Sequence, residues 1–456
     1  MPADHTALYG PRPSVNELAQ QGKQLRKQCP RSDLGTGCNF DRDPIALLEA
    51  QNAGRVQSLV PIRWGRMSQS AFAFYRGAAA LMAHDLAPTP VSGVRVQACG
   101  DAHLSNFGFY ASPERELVFD LNDFDETLPA PWEWDVERLV ASLVVAARSS
   151  GFGDQVATTV AIGCARAYRT AMRWLAARGA LQNFHTLVKA SELLSRSEQM
   201  DMGAAGKEIA RATRKAEGRT SETALQKLTT VCENGELRLV EQPPLMVRPQ
   251  QWPDDIASVP KVYGASVGPD IRALLKRFQP VDGMLRVVGV GSVGTRCFIE
   301  LLVDATESPL ILQIKEATTS VLEPYAGASE LSQAGERVVS GQRIMQAVSD
   351  PFLGWTCSDG HEYYVRQFRD MKGAFQIERL SADLLNKYGQ LCGLVLARAH
   401  AQTAEPALIS GYLGKGTAFD EAMAAFALGY AEQNDADYQA LLAAIAEGRI
   451  TADSLG

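Results

Sequence analysis

The sequence predicts an α+β protein of two lobes, a larger one mostly helical and a smaller one built on an antiparallel sheet. Three observations carry that expectation. At 456 residues the chain exceeds what one hydrophobic core ordinarily organises. Its first half and its C-terminal end are dominated by runs of good helix formers. Between them, residues 284–318 (MLRVVGVGSVGTRCFIELLVDATESPLILQIKEAT) read as strand, glycine turn, strand, short turn, strand. With 46% hydrophobic and 21% charged residues, the composition is that of a folded chain.

Taken in order, residues 1–62 are polar and rich in Pro, Arg and Asp, which predicts an irregular N-terminal arm. A helix starts at the N-cap Ser70 in SQSAFAFYRGAAALMAHDLA and is broken by PTPVSG. VRVQAC alternates like a strand, ASPER is a turn, RELVFDLNDF is a second strand, and ETLPAPWEW is a proline-rich loop. From Asp135, DVERLVASLVVAARSSG predicts a helix with Leu139, Leu143 and Val144 on its apolar stripe. Residues 63–180 thus form the first part of the helical lobe. Residues 181–280 read as a helical insertion or linker, with KEIARATRKAEGRT as a basic, solvated stretch and EQPPLMVRPQQWP as a boundary. Residues 281–375 form the β-rich lobe, with a helix in SELSQAGERVVSGQRIMQAV and a last strand in HEYYVRQFRD. Residues 376–456 are helical and complete the larger lobe. No internal repeat or low-complexity tract interrupts this pattern.

The totals narrow the function classes. A net charge of −7, from 45 basic and 52 acidic residues, disfavours nucleic acid and anionic membranes as partners. No apolar run approaches the roughly 20 residues a membrane span needs. The N-terminus lacks a signal-peptide pattern, so a cytoplasmic location is expected. The eight cysteines include no CxxC pair, which points to reduced, mostly buried thiols; Cys29 and Cys38 are spaced to close a small loop.

Four motifs carry chemistry. In QACGDAHLSNFGFY, Asp101 and Asn106 are five positions apart, the spacing of a phosphoryl-transfer loop in which Asp receives the attacking hydroxyl's proton and Asn holds magnesium. A polar turn is the plainer explanation of that stretch alone. In VFDLNDFDE, Asp120, Asp123, Asp125 and Glu126 crowd together, and Asp123 follows Asn106 by 17 residues, room for a short hairpin that returns it to the metal site. A calcium site or a solvated acidic turn would look similar, although the EF-hand glycine and distal Glu are missing. The third motif, GVGSVG, offers Gly289, Gly291, Ser292 and Gly294 as a phosphate cradle, and the third strand after it carries Lys315. The same glycines could open a dinucleotide-binding unit for an NAD-dependent oxidoreductase, but that reading requires a helix at about 295–305. Fourth, Glu336 on the following helix, or alternatively Glu330, is placed to hold Lys315, while Arg337 and Arg343 are either solvated or turned toward the other lobe.

Other features are plainer. Arg63, Arg66 and Arg76 lie among aromatics, where salt bridges and lobe contacts are expected; of the three, Arg76 suits a phosphate or substrate contact. Trp132 and Trp134 are expected to cap the core beside the strand pair. His84, His185, His361 and His400 lack ligand spacing and read as structural or solvated. No GxSxG or HExxH motif supports a hydrolase template.

These residues carry a resemblance. CGDAHLSNFG followed by FDLNDFDE resembles the HGDxHxxN and DFD-type motifs of aminoglycoside phosphotransferases and other kinase-like small-molecule kinases, and WEWDVERLVASL resembles their next helix. Over nearly the whole chain, RMSQSAFAFYRG, QACGDAHLSNFG, DLNDFDET and RVVSGQRIMQAVSDPFLGW resemble a bacterial domain of unknown function, number 2252. The kinase resemblance implies ATP and Mg2+ as cofactors and Asp101 as base. It implies His103 as the loop's brace, and Asn106, Asp123 and Asp125 as metal residues. It also implies Lys315 on the phosphates. Cys99 stands where the motif's first His would be, and Asp125 where protein kinases have the last Gly of DFG. The order of motifs is inverted, so the implied fold is a circularly permuted kinase. The implied activity is phosphoryl transfer to an unidentified hydroxyl acceptor. Nucleotidyl transfer on the same scaffold, or a catalytically inactive nucleotide-binding regulatory module, are the alternatives.

Overall fold

The computed structural model describes residues 11–36, 40–199, 203–232, 237–248, 259–368 and 371–453. Cys38, and with it the Cys29–Cys38 loop, lies outside the described residues; Cys29 is a buried free thiol.

The fold is mixed α+β, with helices outweighing several small antiparallel sheets. Strand β1 (Arg95–Ala98) pairs with β4 (Leu128–Pro131), and β2 (Phe107–Ala111) pairs with β3 (Leu117–Leu121), both antiparallel. Two of these strands depart from expectation. The motif's own FGFYA forms β2, and the proline-rich loop contains β4, whose Pro129 and Pro131 sit on a two-stranded pair where a missing N–H is tolerated. β5 (Thr229–Val231) and β6 (Leu237–Leu239) form a further pair.

The larger sheet runs in the order β11–β12–β10–β9–β8–β7. Its strands are β7 (Met246–Val247), β8 (Phe278–Arg286), β9 (Cys297–Asp304), β10 (Pro309–Ala317), β11 (Gly354–Ser358) and β12 (His361–Gln367). The expected strand–glycine turn–strand–turn–strand is β8 to β10. β9 occupies the span where an NAD-binding unit requires a helix, which removes that alternative. β7 and the start of β8 extend the sheet into the segment expected to be a helical linker.

Three helical expectations change. The N-terminal arm is not irregular: Val15–Leu25 is a helix with a capping box between Ser14 and Glu17, and Pro44–Asn52 is capped by Asp43 with Pro at its first position. The first of these helices packs so tightly that a Cβ on Gly22 would lie 2.0 Å from the Leu408 carbonyl oxygen. Second, the helix capped by Ser70 is two helices, α1 (Ala71–Gly77) and the Ala79–Leu86 helix. The break falls where the buried Arg63 takes the Gly77 carbonyl (2.8 Å). Third, the Ala204–Glu217 helix is not wholly solvated, since Ala212, Thr213 and Ala216 are buried.

The helical core is built on α2 (Trp132–Ser149), α3 (Asp154–Ala176), α5 (Ala382–His400) and α6 (Ala418–Ala446), with α4 (Ala334–Met345) lying between this core and the sheet. Every residue of α2 from Trp132 to Ala147 is buried, not only the expected stripe, because other helices pack on all its faces. Trp132 stacks on Tyr168 of α3 at 5.6 Å, in keeping with its expected place in the core. A Cβ on Gly393 of α5 would lie 2.6 Å from the Cys164 carbonyl oxygen, so glycine permits the α3–α5 approach.

Candidate functional site

The CGDAHLSN motif begins where β1 ends. Gly100 has φ +80°, and a Cβ there would lie 2.4 Å from the Glu126 carbonyl oxygen, so the chain needs glycine just before Asp101. Asp135 of α2 accepts the backbone N–H groups of Cys99 (2.6 Å) and Gly100 (2.9 Å). Its other neighbour is His400 of α5 (3.1 Å), whose second ring nitrogen meets the Tyr168 hydroxyl (2.9 Å). His400 is therefore structural, as expected, and it steadies the loop through Asp135. Cys99 donates its thiol to the Asp123 carbonyl (3.2 Å), tying the loop to the acidic turn.

Asp101 sits on this platform. Arg138, one turn after Asp135, donates to Asp101 Oδ1 from Nε at 2.7 Å and approaches it with Nη2 at 2.6 Å. His103 Nδ1 accepts the Ser105 N–H (3.1 Å), which puts the ring proton on Nε2. Nε2 lies 3.7 Å from Asp101 Oδ2, beyond hydrogen-bond range, so that oxygen is open. Burial pushes the Asp101 carboxyl up to about 7 in spite of Arg138, and burial with two nearby guanidiniums holds His103 well below the usual imidazole range. Asn106 donates Nδ2 to the Asp101 carbonyl (2.7 Å), which turns Oδ1 the other way.

The hairpin of β2 and β3 spans the residues between Asn106 and Asp123, as the spacing predicts, and its open end is closed by Asn122 N–H donating to the Asn106 carbonyl (2.9 Å). The acidic turn that follows is divided in its roles. Asp120 is buried and structural, accepting the Leu121 and Ala347 N–H groups at 2.9 Å each. Asp125 forms an ion pair with Lys315, accepts the Tyr364 hydroxyl (2.9 Å) and meets Ser292 Oγ (3.3 Å); Lys315 draws its carboxyl below the ordinary range against the effect of burial. Among the described residues the Asp123 carboxylate accepts a long bond from the Asp125 N–H (3.4 Å), and burial together with the Asp125 charge raises its carboxyl.

One expectation is thereby corrected. The partner of Lys315 is Asp125, not Glu336 or Glu330. Glu336 stands at the first turn of α4, where Gln333 caps its N–H, and no contact joins it to Lys315. The residue of α4 that turns inward is its neighbour Arg337, which donates to the carbonyls of Thr127 (2.6 Å), Asp125 (2.8 Å) and Thr318 (2.8 Å).

Across from these carboxylates lies the glycine turn between β8 and β9. Gly289 and Gly294 have φ of +65° and +90°. Arg66 donates to the Gly289 carbonyl (2.5 Å), Arg55 to that of Val293 (2.6 Å), and the Val56 N–H to that of Gly294 (2.8 Å). A Cβ on Gly291 would lie 3.2 Å from the Arg76 carbonyl oxygen, so the turn seats directly on α1.

Together the two sides enclose a cleft of about 320 Å³. Asp101, His103, Asn106, Asp123 and Asp125 line one side, and Gly289, Gly291, Ser292, Arg55 and Arg76 the other. Lys315 is buried behind Asp125, and Gly294 and Glu336 do not face the cleft. Sequence reasoning missed Asp135 and Arg138, whose i, i+3 spacing on a helix places both beside the loop, and Arg55, for which no local signal exists. Among the described residues no three His, Cys, Asp or Glu side chains converge as a metal cage. Asp123 and Asn106 both line the cleft and bring a carboxylate and an amide oxygen to it.

No helix among the described residues is long and apolar enough to cross a membrane. No curated protein and no solved structure matches the chain. The profile of DUF2252, described as an uncharacterized protein conserved in bacteria, matches residues 55–444, from the arginine that holds the glycine turn to the end of α6. The chain belongs to that family.

Proposed function

We propose that this protein is a magnesium- and ATP-dependent phosphotransferase with a two-lobed, circularly permuted kinase-like fold. The observation that carries the reading is the pairing of Lys315 with Asp125 across 190 residues, Asp125 lining the same cleft as Asp101, Asn106 and the glycine turn. Parts that phosphoryl transfer requires together are thus neighbours in space although reversed in sequence.

In this reading the Gly289–Ser292 backbone receives the phosphates, Lys315 adds its charge from behind Asp125, and the acceptor's hydroxyl lies at the open Oδ2 of Asp101. The hydroxyl oxygen forms a bond to the γ-phosphorus while the bond from that phosphorus to the β,γ-bridging oxygen breaks. The hydroxyl proton passes to Asp101, and ADP leaves with the electron pair. Arg138 and His103 keep Asp101 in place, and a pKa of about 7 suits a base working at neutral pH. Magnesium, held by Asn106 and Asp123, would neutralise charge on the phosphate oxygens. Positioning and charge complementarity supply most of the rate enhancement, since the reaction needs little covalent help.

The test is thermal stabilisation by Mg-ATP of the wild type and of Asp123→Asn. A magnesium-dependent shift in the wild type that disappears in the variant supports the reading. Absence of any shift in the wild type at millimolar ATP overturns it.

A further inference from the structure

The proposed reaction leaves Arg76 without a task, and it is the feature of the cleft that speaks to the acceptor. Arg138 pairs with Asp101, whereas Arg76, on the facing wall of the cleft, has no carboxylate among the described residues paired with it. Arg76 makes no hydrogen bond or ion pair with any described residue, and its Nε is buried without a partner. The charges that act on it are Glu378, exposed, and Asp101. The other cleft arginine, Arg55, is differently placed. It is anchored to the Val293 carbonyl in the glycine turn, and the charges acting on it are Glu126, Asp125 and Glu316, on the side of the turn and Lys315. Two guanidiniums thus divide the cleft, one toward the phosphate cradle and one toward the base.

Arg76 is half-buried with its Nε shielded from water and unpartnered, a cost that is offset when an anion fills the fork of its guanidinium. We infer that the acceptor is a hydroxyl-bearing anion, a phosphate or carboxylate compound, whose charged group is bound by Arg76 while its hydroxyl faces Asp101. This inference rests on the phosphotransferase reading and names its substrate class. A neutral sugar or a cationic amino compound does not satisfy Arg76.

The experiment uses sulfate as the anion probe, on the full chain already saturated with magnesium and a non-hydrolysable ATP analogue. Sulfate is titrated against chloride at matched ionic strength, with the unfolding midpoint as readout. The expected result is saturable millimolar stabilisation of the wild type, with an apparent Kd raised at least tenfold in Arg76→Gln and less in Arg76→Lys. Affinity for the ATP analogue should change less than twofold in Arg76→Gln and fall in Arg55→Gln. The lysine variant, keeping the charge, serves if the glutamine variant folds poorly. A sulfate response equal in wild type and Arg76→Gln, or absent from the nucleotide-loaded wild type, overturns the inference. So does a tenfold loss of analogue affinity in Arg76→Gln, which would assign Arg76 to the nucleotide. Failure of the wild type to bind the analogue at all is a separate result, and it falls on the phosphotransferase reading itself.

Discussion

Residues 99–106 are fixed by side chains from two helices, whereas the turn at 289–294, across the cleft, is held by Arg55, Val56, Arg66 and a long Ser292–Asp125 bond. On the first side Asp135, Arg138 and Ser142 of α2 and Tyr388 of α5 bond directly to the loop, nearly all of them buried. On the second side two guanidiniums and one N–H take carbonyls of a turn with two glycines at positive φ. The loop that would do proton chemistry is over-determined, and the turn that would receive phosphates is free to adjust. Precise placement matters most where bonds are made and broken, and adaptability where a ligand enters.

That contrast can be broken most severely at Asp101. Asp101→Asn keeps the shape and removes the base, so ADP release from Mg-ATP should fall about 10²- to 10⁴-fold with little change in unfolding midpoint. Unchanged turnover would remove Asp101 from the chemistry, and no turnover in the wild type would favour a binding module. Next in size, Asp135→Ala leaves two buried N–H groups and His400 without their acceptor. It should destabilise by about 3 kcal/mol in denaturant unfolding, and a loss below about 1 kcal/mol would mean the loop is not held this way. The pH profile sharpens the comparison further. Asp101 must be ionised to act as base, so with a pKa of about 7 the rate should drop roughly tenfold per unit below that pH. A profile flat down to about pH 5 would be inconsistent with Asp101 as base. The sign for stability is opposite. The folded state raises this carboxyl from 3.8, so its contribution is full below about pH 4 and is lost as pH rises through about 7. The smallest effect belongs to the turn. Gly294→Ala strains a φ of +90° and crowds Arg55, at about 1–2 kcal/mol, and it should weaken analogue binding more than it slows the chemical step.

What the sequence disclosed and what it hid follow from range. GVGSVG and the strands around it were legible because turn chemistry and alternation are local. The Asp101–Asn106 spacing was legible for the same reason, and the hairpin carrying Asp123 needed only 17 residues. The partner of Lys315 was misassigned because the choice among Asp125, Glu330 and Glu336 is made by the rotation of α4 and the pleat of β10, neither of which is written in a spacing. The arm was misread because its capping signals, Ser14 with Glu17 and Asp43 with Pro44, sit within a polar composition that suggests a loop. The split of the Ser70 helix depended on a buried arginine 14 residues away taking a carbonyl.

The 190 residues between Asp125 and Lys315 also set an order of events during synthesis. At roughly 5–20 residues per second, the acidic turn leaves the ribosome some 10–40 s before the lysine that neutralises it. During that interval Asp123, Asp125 and Glu126 cannot be buried together without a large electrostatic cost, so the turn must wait in water. The helices of the first half can associate early, while the cleft closes only after the sheet has been made. The site is therefore among the last parts of the molecule to form, although its central motif is among the first to be translated.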